Sequence, residues 1–325
     1  MNADRTRIVL AGASGTIGRA VAAEILARGH DLTCLVRRSA TGEDAARDPQ
    51  LARAEFNFVE SYDQDGLTSP MRQAADAGGI DCVISCLASR TGERRDAERI
   101  DHRANLALLR VSESIGAGQF ISLSAICVQR PLLAFQRAKL AFERQLMASD
   151  IAHTIVRPTA FFKSLSGQVD RVARGKPFLV FGSGEETRCK PISDRDLARF
   201  IADCIGNEKA YDAILPVGGP GPAISPRDQG AILFELTGKP PRYRRVPVGM
   251  FDAVVAVLSK GERWSARIAD MCEYARIGRY YATQSMLVLD PATGDYSADA
   301  TPSFGSDTLR DHYADLLGKR NTTDA

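Results

Sequence analysis

The sequence predicts an α/β chain, a doubly wound parallel sheet followed by a smaller C-terminal lobe. Three observations lead there. Short apolar runs rich in β-branched residues alternate with stretches of helical apolar spacing over about half the chain. A glycine-rich turn lies between the first such run and the first helical stretch. Beyond residue 158 the alternation stops, and proline and glycine cluster in PVGGPGPAISP at 216–226.

In order, TRIVLAG (6–12) reads as a buried strand, IGRAVAAEILARG (17–29) as a helix that ends at its glycine, and DLTCLVR (31–37) as a second strand that completes a βαβ unit. AEFNFVE (54–60), DCVISCLA (81–88), QFISLSA (119–125) and HTIVRP (153–158) follow as strands, with intervals long enough for crossover helices. Such a sheet takes ligands at the carboxyl ends of its strands. The reading divides the chain into a core at 1–160 and a lobe at 161–325. Residues 190–217, including the helical RDLARFIADCIG (195–206), are expected to pack back on the core, and an aromatic segment surrounds Tyr274 to Tyr281.

Composition narrows the function. The chain has 325 residues, 44% of them hydrophobic and 25% charged, which is ordinary for a soluble globular protein. A formal net charge of +2, with basic residues scattered rather than blocked, gives no nucleic-acid footprint. Cys34, Cys82, Cys86, Cys127, Cys189, Cys204 and Cys272 form no C-x-x-C pair and read as reduced core thiols. His102, His153 and His312 read as surface or core residues, so no metal site is expected. No apolar run approaches the about 20 residues of a membrane span. The N-terminus enters a strand almost at once, which leaves no room for a signal or transit peptide, and the expected compartment is the cytoplasm. Oligomeric state is not encoded in any of these features.

The chemistry begins at Gly12-Ala-Ser14-Gly15-Thr16-Ile17-Gly18. Between a strand and a helix, glycines let the backbone turn tightly and approach a pyrophosphate, whose charge then sits at the helix N-terminus. This is the signature of an NAD(P)-binding Rossmann fold, and its G-x-x-G-x-x-G spacing resembles the extended and atypical short-chain reductases. At the end of the second strand, where an NAD site carries a carboxylate for the ribose hydroxyl, the chain has Leu35-Val36-Arg37-Arg38-Ser39. Guanidinium groups attract a 2′-phosphate and match its geometry with parallel hydrogen bonds. The expected cofactor is NADPH, held by Arg37 first, with Arg38 or Ser39 assisting. Two arginines at a strand end can also be simply solvated.

Phe135-Gln-Arg-Ala-Lys139 has the spacing of a Tyr-x-x-x-Lys reductase motif with a phenyl ring in place of the phenol. Phe135 cannot donate a proton. Lys139, one helical turn on, keeps the geometry for the nicotinamide ribose, although a lysine on an apolar face can also snorkel.

The longer string from Ser122 through Ser124, Ala125-Ile-Cys-Val-Gln129 and Phe135 to Lys139 closely resembles the NADPH-dependent 8-vinyl reductases of divinyl chlorophyllide, which are atypical short-chain reductases. The likeness continues through Arg157-Pro-Thr-Ala-Phe-Phe-Lys163, Lys190-Pro-Ile-Ser193, Arg276-Ile-Gly-Arg-Tyr-Tyr281, Ser285-Met-Leu-Val-Leu-Asp290 and Thr301-Pro-Ser-Phe-Gly-Ser-Asp-Thr308, nearly the whole chain. The resemblance implies reduction of the 8-vinyl group of a magnesium tetrapyrrole, divinyl chlorophyllide or its protochlorophyllide form, to ethyl in chlorophyll or bacteriochlorophyll synthesis. Plant members carry transit peptides, so a photosynthetic bacterium is the expected host.

The resemblance also implies roles. Lys139 and Phe135 form the catalytic face, Phe135 as an apolar wall. Ser124, Arg157, Pro158 and Thr159 join the cofactor site, the last three by backbone against the carboxamide. Phe161, Phe162, Tyr280 and Tyr281, with Tyr274 beside them, offer stacking surface or belong to the core of the lobe, and Lys163, Lys190, Arg276 or Arg279 offer a partner for the substrate propionate. Taken alone, the missing phenol fits a non-enzymatic NADPH-binding regulator or assembly factor. Retained Lys139 and the long likeness favour an enzyme. A reductase of a smaller conjugated alkene, as in the isoflavone and phenylcoumaran type, shares the fold and the lysine.

Overall fold

The structure is a computed structural model that describes residues 5–76 and 78–323. The chain divides into two compact units. One comprises Met1–Val128, Ala134–Arg157 and Leu197–Leu215; the other comprises Gln129–Leu133, Pro158–Asp196 and Pro216–Ala325.

The first unit is built on a sheet whose strands are β1 (Arg7–Ala11), β2 (Asp31–Arg37), β3 (Glu55–Val59), β4 (Cys82–Ser85), β5 (Gln119–Leu123) and β6 (Ala152–Pro158). These six pair parallel in the order β3-β2-β1-β4-β5-β6. Beyond residue 158 come β7 (Phe178–Phe181) and β8 (Ala213–Val217), and β8 adds a seventh strand beside β6. Central strands of a parallel sheet are covered on both faces, so they read as continuous apolar runs rather than alternating ones. All four residues of β4 are buried, as are Ile8 to Ala11 of β1. The core on one face gathers Val9, Leu35, Val83, Leu108, Phe120, Phe142 and Ile155. Strand order reverses between β2 and β4 on either side of β1, and such a switch point opens a crevice at the strand ends.

The cysteines are free, and all but half-buried Cys86 are buried. Burial pushes the Cys34 thiol up to about 12, which leaves it protonated and inert.

In the second unit, β7 pairs parallel with β9 (Tyr243–Val246), and β10 (Val288–Leu289) pairs antiparallel with β11 (Tyr296–Ser297). Its core contains Phe162, Val169, Phe178, Leu233, Phe234 and Tyr313. Asp196 anchors the 305–307 turn by accepting the amides of Ser306 and Asp307 at 2.9 and 2.8 Å, and Gly305 (φ 83°) leaves room for that carboxylate.

Candidate active site

The chain leaves β1 through Gly12, whose φ of 92° lies in the left-handed region. A Cβ there would also stand 2.8 Å from the carbonyl carbon and oxygen of Cys86, just past β4. One turn later, a Cβ on Gly18 would fall 2.1 Å from the Gly12 oxygen. The turn closes where the Gly15 amide donates to the Gly12 carbonyl at 3.0 Å. Gly15 then begins the Thr16–Ala27 helix without a side-chain cap. Ser14 and Ile17 are half-buried, whereas Gly15 and Thr16 are exposed. The result is a close-packed backbone cradle at a helix N-terminus and at the sheet's switch point, which fits a pyrophosphate.

Arg37, the last residue of β2, is exposed and makes no ion pair among the described residues. Arg38 lies over the Phe58 ring and donates from Nε to Glu60 at 3.2 Å. Both partners are well exposed, so this pair holds Arg38 by no more than about 1 kcal/mol. Ser39 is committed elsewhere, because its hydroxyl accepts the Gly42 amide and caps the Ala40–Ala46 helix.

Lys139 and Phe135 stand one turn apart on the Ala134–Met147 helix. The lysine does not snorkel. Its Nζ lies 3.0 Å from Oδ1 of Asp101, and the two side chains are 11% and 0% exposed. Asp101 occupies a π-helical turn, Glu98–Ala104, inserted between the Arg94–Ala97 and Asn105–Ser114 helices. Such turns are rare and concentrate at functional sites. Oδ1 of Asp101 also accepts the Ser89 amide at 3.2 Å, while its buried Oδ2 has no hydrogen-bond partner among the described residues. Asn105 braces the turn by donating to the carbonyls of Ile100 and Asp101, and it accepts the Ser85 hydroxyl at 2.5 Å. Asp101 was not among the sequence-predicted site residues. Its one signal is an acid placed in a row with Ala97, Ala104 and Leu108, all buried.

The Ser124, Arg157 and Thr159 side chains are engaged with other groups of the protein. The Ser124 hydroxyl donates to Glu143 Oε1 at 2.5 Å, and Arg157 donates to the same oxygen at 3.2 Å and to Oε2 through its second nitrogen. Glu143 is buried, so it needs both donors to offset its lost hydration. Pro158 is buried and has no amide hydrogen. The Thr159 amide donates to Val217 at 2.9 Å and its hydroxyl to the Lys190 carbonyl. A backbone contact to a carboxamide at Pro158 or Thr159 would therefore run through a carbonyl oxygen rather than an amide donor.

The aromatic candidates also separate. Phe162 is 4% exposed and belongs to the core of the second unit, against His312, and Tyr280 is 3% exposed. Neither ring offers an open face, so of the two readings of these rings, stacking surface and lobe core, the second holds for Phe162 and Tyr280. Tyr281 is half exposed and edge-on to Tyr280, Phe161 is half-buried, and Lys163 is exposed. Lys190 is engaged with the Thr301 carbonyl and Ser303, Arg276 with Glu262 and Glu273, and Arg279 with Asp252. Lys163 lies near Asp194, whose carboxyl is held above the usual range by burial despite the nearby His312 and Lys163 charges.

The family model for NAD(P)H-binding proteins matches residues 12–208. A rice protein named divinyl chlorophyllide a 8-vinyl-reductase, chloroplastic, is 46% identical over 322 residues, covering 96% of this chain and 78% of its own. The cucumber protein of that name is 45% identical, covering 98% and 78%. The chain belongs to the divinyl chlorophyllide a 8-vinyl-reductase family. It binds NAD(P)H. The fold is shared with an NADPH-dependent quinone oxidoreductase from Escherichia coli, at a TM-score of 0.67 and 17% identity over 95% of this chain and 99% of that one. The vinyl-reductase relatives are chloroplastic by name, which overturns the cytoplasmic expectation. That expectation rested on composition and on the position of the first strand, and neither carries an address.

Removing one member of a buried ion pair leaves the other charge unpaired. Lys139→Met should therefore cost about 3–5 kcal/mol of stability in urea unfolding. Lys139→Met combined with Asp101→Asn should recover most of that loss, and strictly additive effects would show that the two are not an energetic unit.

Proposed function

We propose that the chain reduces the 8-vinyl group of divinyl chlorophyllide to ethyl, with NADPH as reductant. What supports this reading is the likeness to the vinyl reductases over 96% of this chain and 78% of the rice protein, together with a lysine at the motif position that a buried carboxylate holds in place. When bound, the nicotinamide supplies the hydride for one vinyl carbon; a proton completes the other.

Gly12, Gly15 and Gly18 take the pyrophosphate against bare backbone, with Ser14, Thr16 and Ile17 lining the turn. Arg37 selects the 2′-phosphate, with Arg38 within reach once it leaves Glu60. Asp101 orients Lys139, so that donors remaining on its Nζ serve the ribose hydroxyls. Phe135 keeps the adjoining turn of the helix apolar and offers no proton. That absence suits the chemistry, because charge delivered to a conjugated vinyl group spreads into the macrocycle and no localised oxyanion forms. The site's task is then alignment rather than general-acid catalysis. In the second unit, Phe161 and Tyr281 supply stacking surface and Lys163 meets the propionate.

The deciding experiment incubates the purified protein with NADPH and divinyl chlorophyllide and follows the Soret band. Conversion should move the band to shorter wavelength as conjugation with the vinyl group is lost. An unmoved band in the presence of bound NADPH would favour a nucleotide-binding regulator instead.

For the cofactor, Arg37→Ala should weaken NADPH binding by about 1.5–3 kcal/mol and leave NADH nearly unchanged, as titrated by nicotinamide fluorescence. Equal losses would remove Arg37 from the phosphate site.

Phe135→Tyr separates alignment from a lost acid. Restoring the phenol beside Lys139 should leave vinyl reduction equal or slower, since an unpaired hydroxyl in an apolar wall costs about 1–3 kcal/mol. A gain of about a hundredfold, the size expected of a general acid, would contradict the mechanism.

A further inference from the structure

The Gly249–Leu258 helix, GMFDAVVAVL, is almost entirely apolar, yet none of its residues is buried. Its inner side packs on the Ala266–Thr283 helix, where Gly278 makes room for the Phe251 ring and Arg279 binds Asp252 at 2.5 Å. Met250, Val254 and Val257 recur at helical spacing on an outer side and remain open to solvent, Val257 at 70%. The turn between the two helices carries Trp264, the only tryptophan of the chain, at 87% exposure. An apolar helix without a buried residue, next to a bare indole, is a surface built to be covered.

Charge identifies the cover. Lys260, Arg263 and Arg267 surround Trp264 in sequence, are exposed, and make no ion pair among the described residues. Of the nearby acids two are engaged, and Asp270, three residues after Arg267, makes no ion pair among the described residues. Asp252 is held by Arg279, and Glu262 is drawn to Arg276 at 2.5 Å. Lys260, Arg263 and Arg267 against Asp270 leave an excess of positive charge around the indole. A second copy of the chain is a poor occupant, because a two-fold contact would set this basic cluster against itself. Anionic lipid headgroups supply the opposite charge, and the boundary between headgroups and acyl chains is where tryptophan and apolar helix faces settle. No helix among the described residues is long and apolar enough to cross a membrane, so this contact is with a surface.

We propose that the turn at 258–267, with the outer side of the Gly249–Leu258 helix, docks the protein on an anionic membrane surface. The cofactor residues assigned above take no part in it.

Because Trp264 is the sole tryptophan of the sequence, its emission reports this site directly in the intact 325-residue chain. Vesicles of equimolar phosphatidylcholine and phosphatidylglycerol should shift the emission to the blue and carry the protein down on sedimentation, whereas phosphatidylcholine alone should do neither. Lys260→Glu, Arg263→Glu and Arg267→Glu combined should lower the partition at least about tenfold while NAD(P)H binding, the check on folding, is unchanged. Raised salt should release the wild type. Unshifted emission with anionic vesicles, or undiminished partition of the charge-reversed protein, would overturn the proposal. So would self-association without lipid that Trp264→Ser abolishes, since the face would then belong to a second copy.

Discussion

A charge buried in a protein interior must be met by another, and in the first unit that requirement fixes one helix. Lys139 and Glu143 lie one turn apart on the Ala134–Met147 helix, and each reaches a different element. The lysine meets Asp101 in the π-helical turn, and the glutamate meets Ser124 and Arg157 near the ends of β5 and β6. Leaving either charge unpaired would cost several kcal/mol, so the helix cannot slide or rotate by a residue without breaking both contacts. Phe135, on the turn before Lys139, inherits its place from these pairs.

This arrangement also explains which parts of the site were legible in the sequence. The glycine turn, β2 with its terminal arginines, and the Phe135–Lys139 spacing are local features, and local geometry is what spacing encodes. Asp101 is not local to Lys139. It comes from a turn whose extra residue per cycle breaks the helical period, so pattern reading had no register in which to place it. Phe162 and Tyr280 were misplaced among the surface candidates for a different reason. Phe161 and Phe162 are neighbours of identical chemistry, and only the packing of Phe162 against the unit's core decides that the second ring is closed. Arg157 and Ser124 lie where a site was expected, but their polar groups turn to Glu143, a partner that spacing alone does not reveal.

The fold was the more readable half, because a doubly wound sheet repeats one motif. Each predicted strand of the first half is present within a few residues of its reading, β2 at its stated bounds. Buried parallel strands are apolar throughout, and glycine or proline punctuates their ends. Past residue 158 that redundancy disappears. The later strands are short, and the connections among them are held by side-chain contacts such as Asp196 with the 305–307 turn, in which acceptor and amides are more than a hundred residues apart.

On the proposed mechanism, phenylalanine in place of tyrosine, with the lysine retained, follows from where charge goes. Reduction of a carbonyl collects a full charge on one oxygen, and a donor within hydrogen-bond reach lowers that barrier directly. Reduction of a vinyl group conjugated to a macrocycle spreads the charge over many atoms, and no single donor meets more than a fraction of it. A phenol at Phe135 would then contribute little to the transition state and would carry the desolvation cost of its hydroxyl in every state. The lysine faces no such trade, because the role proposed for it is on the nucleotide, which is the same in both reactions. Keeping Lys139 fixed by Asp101 while leaving position 135 apolar is what selection on alignment, without selection on acidity, produces.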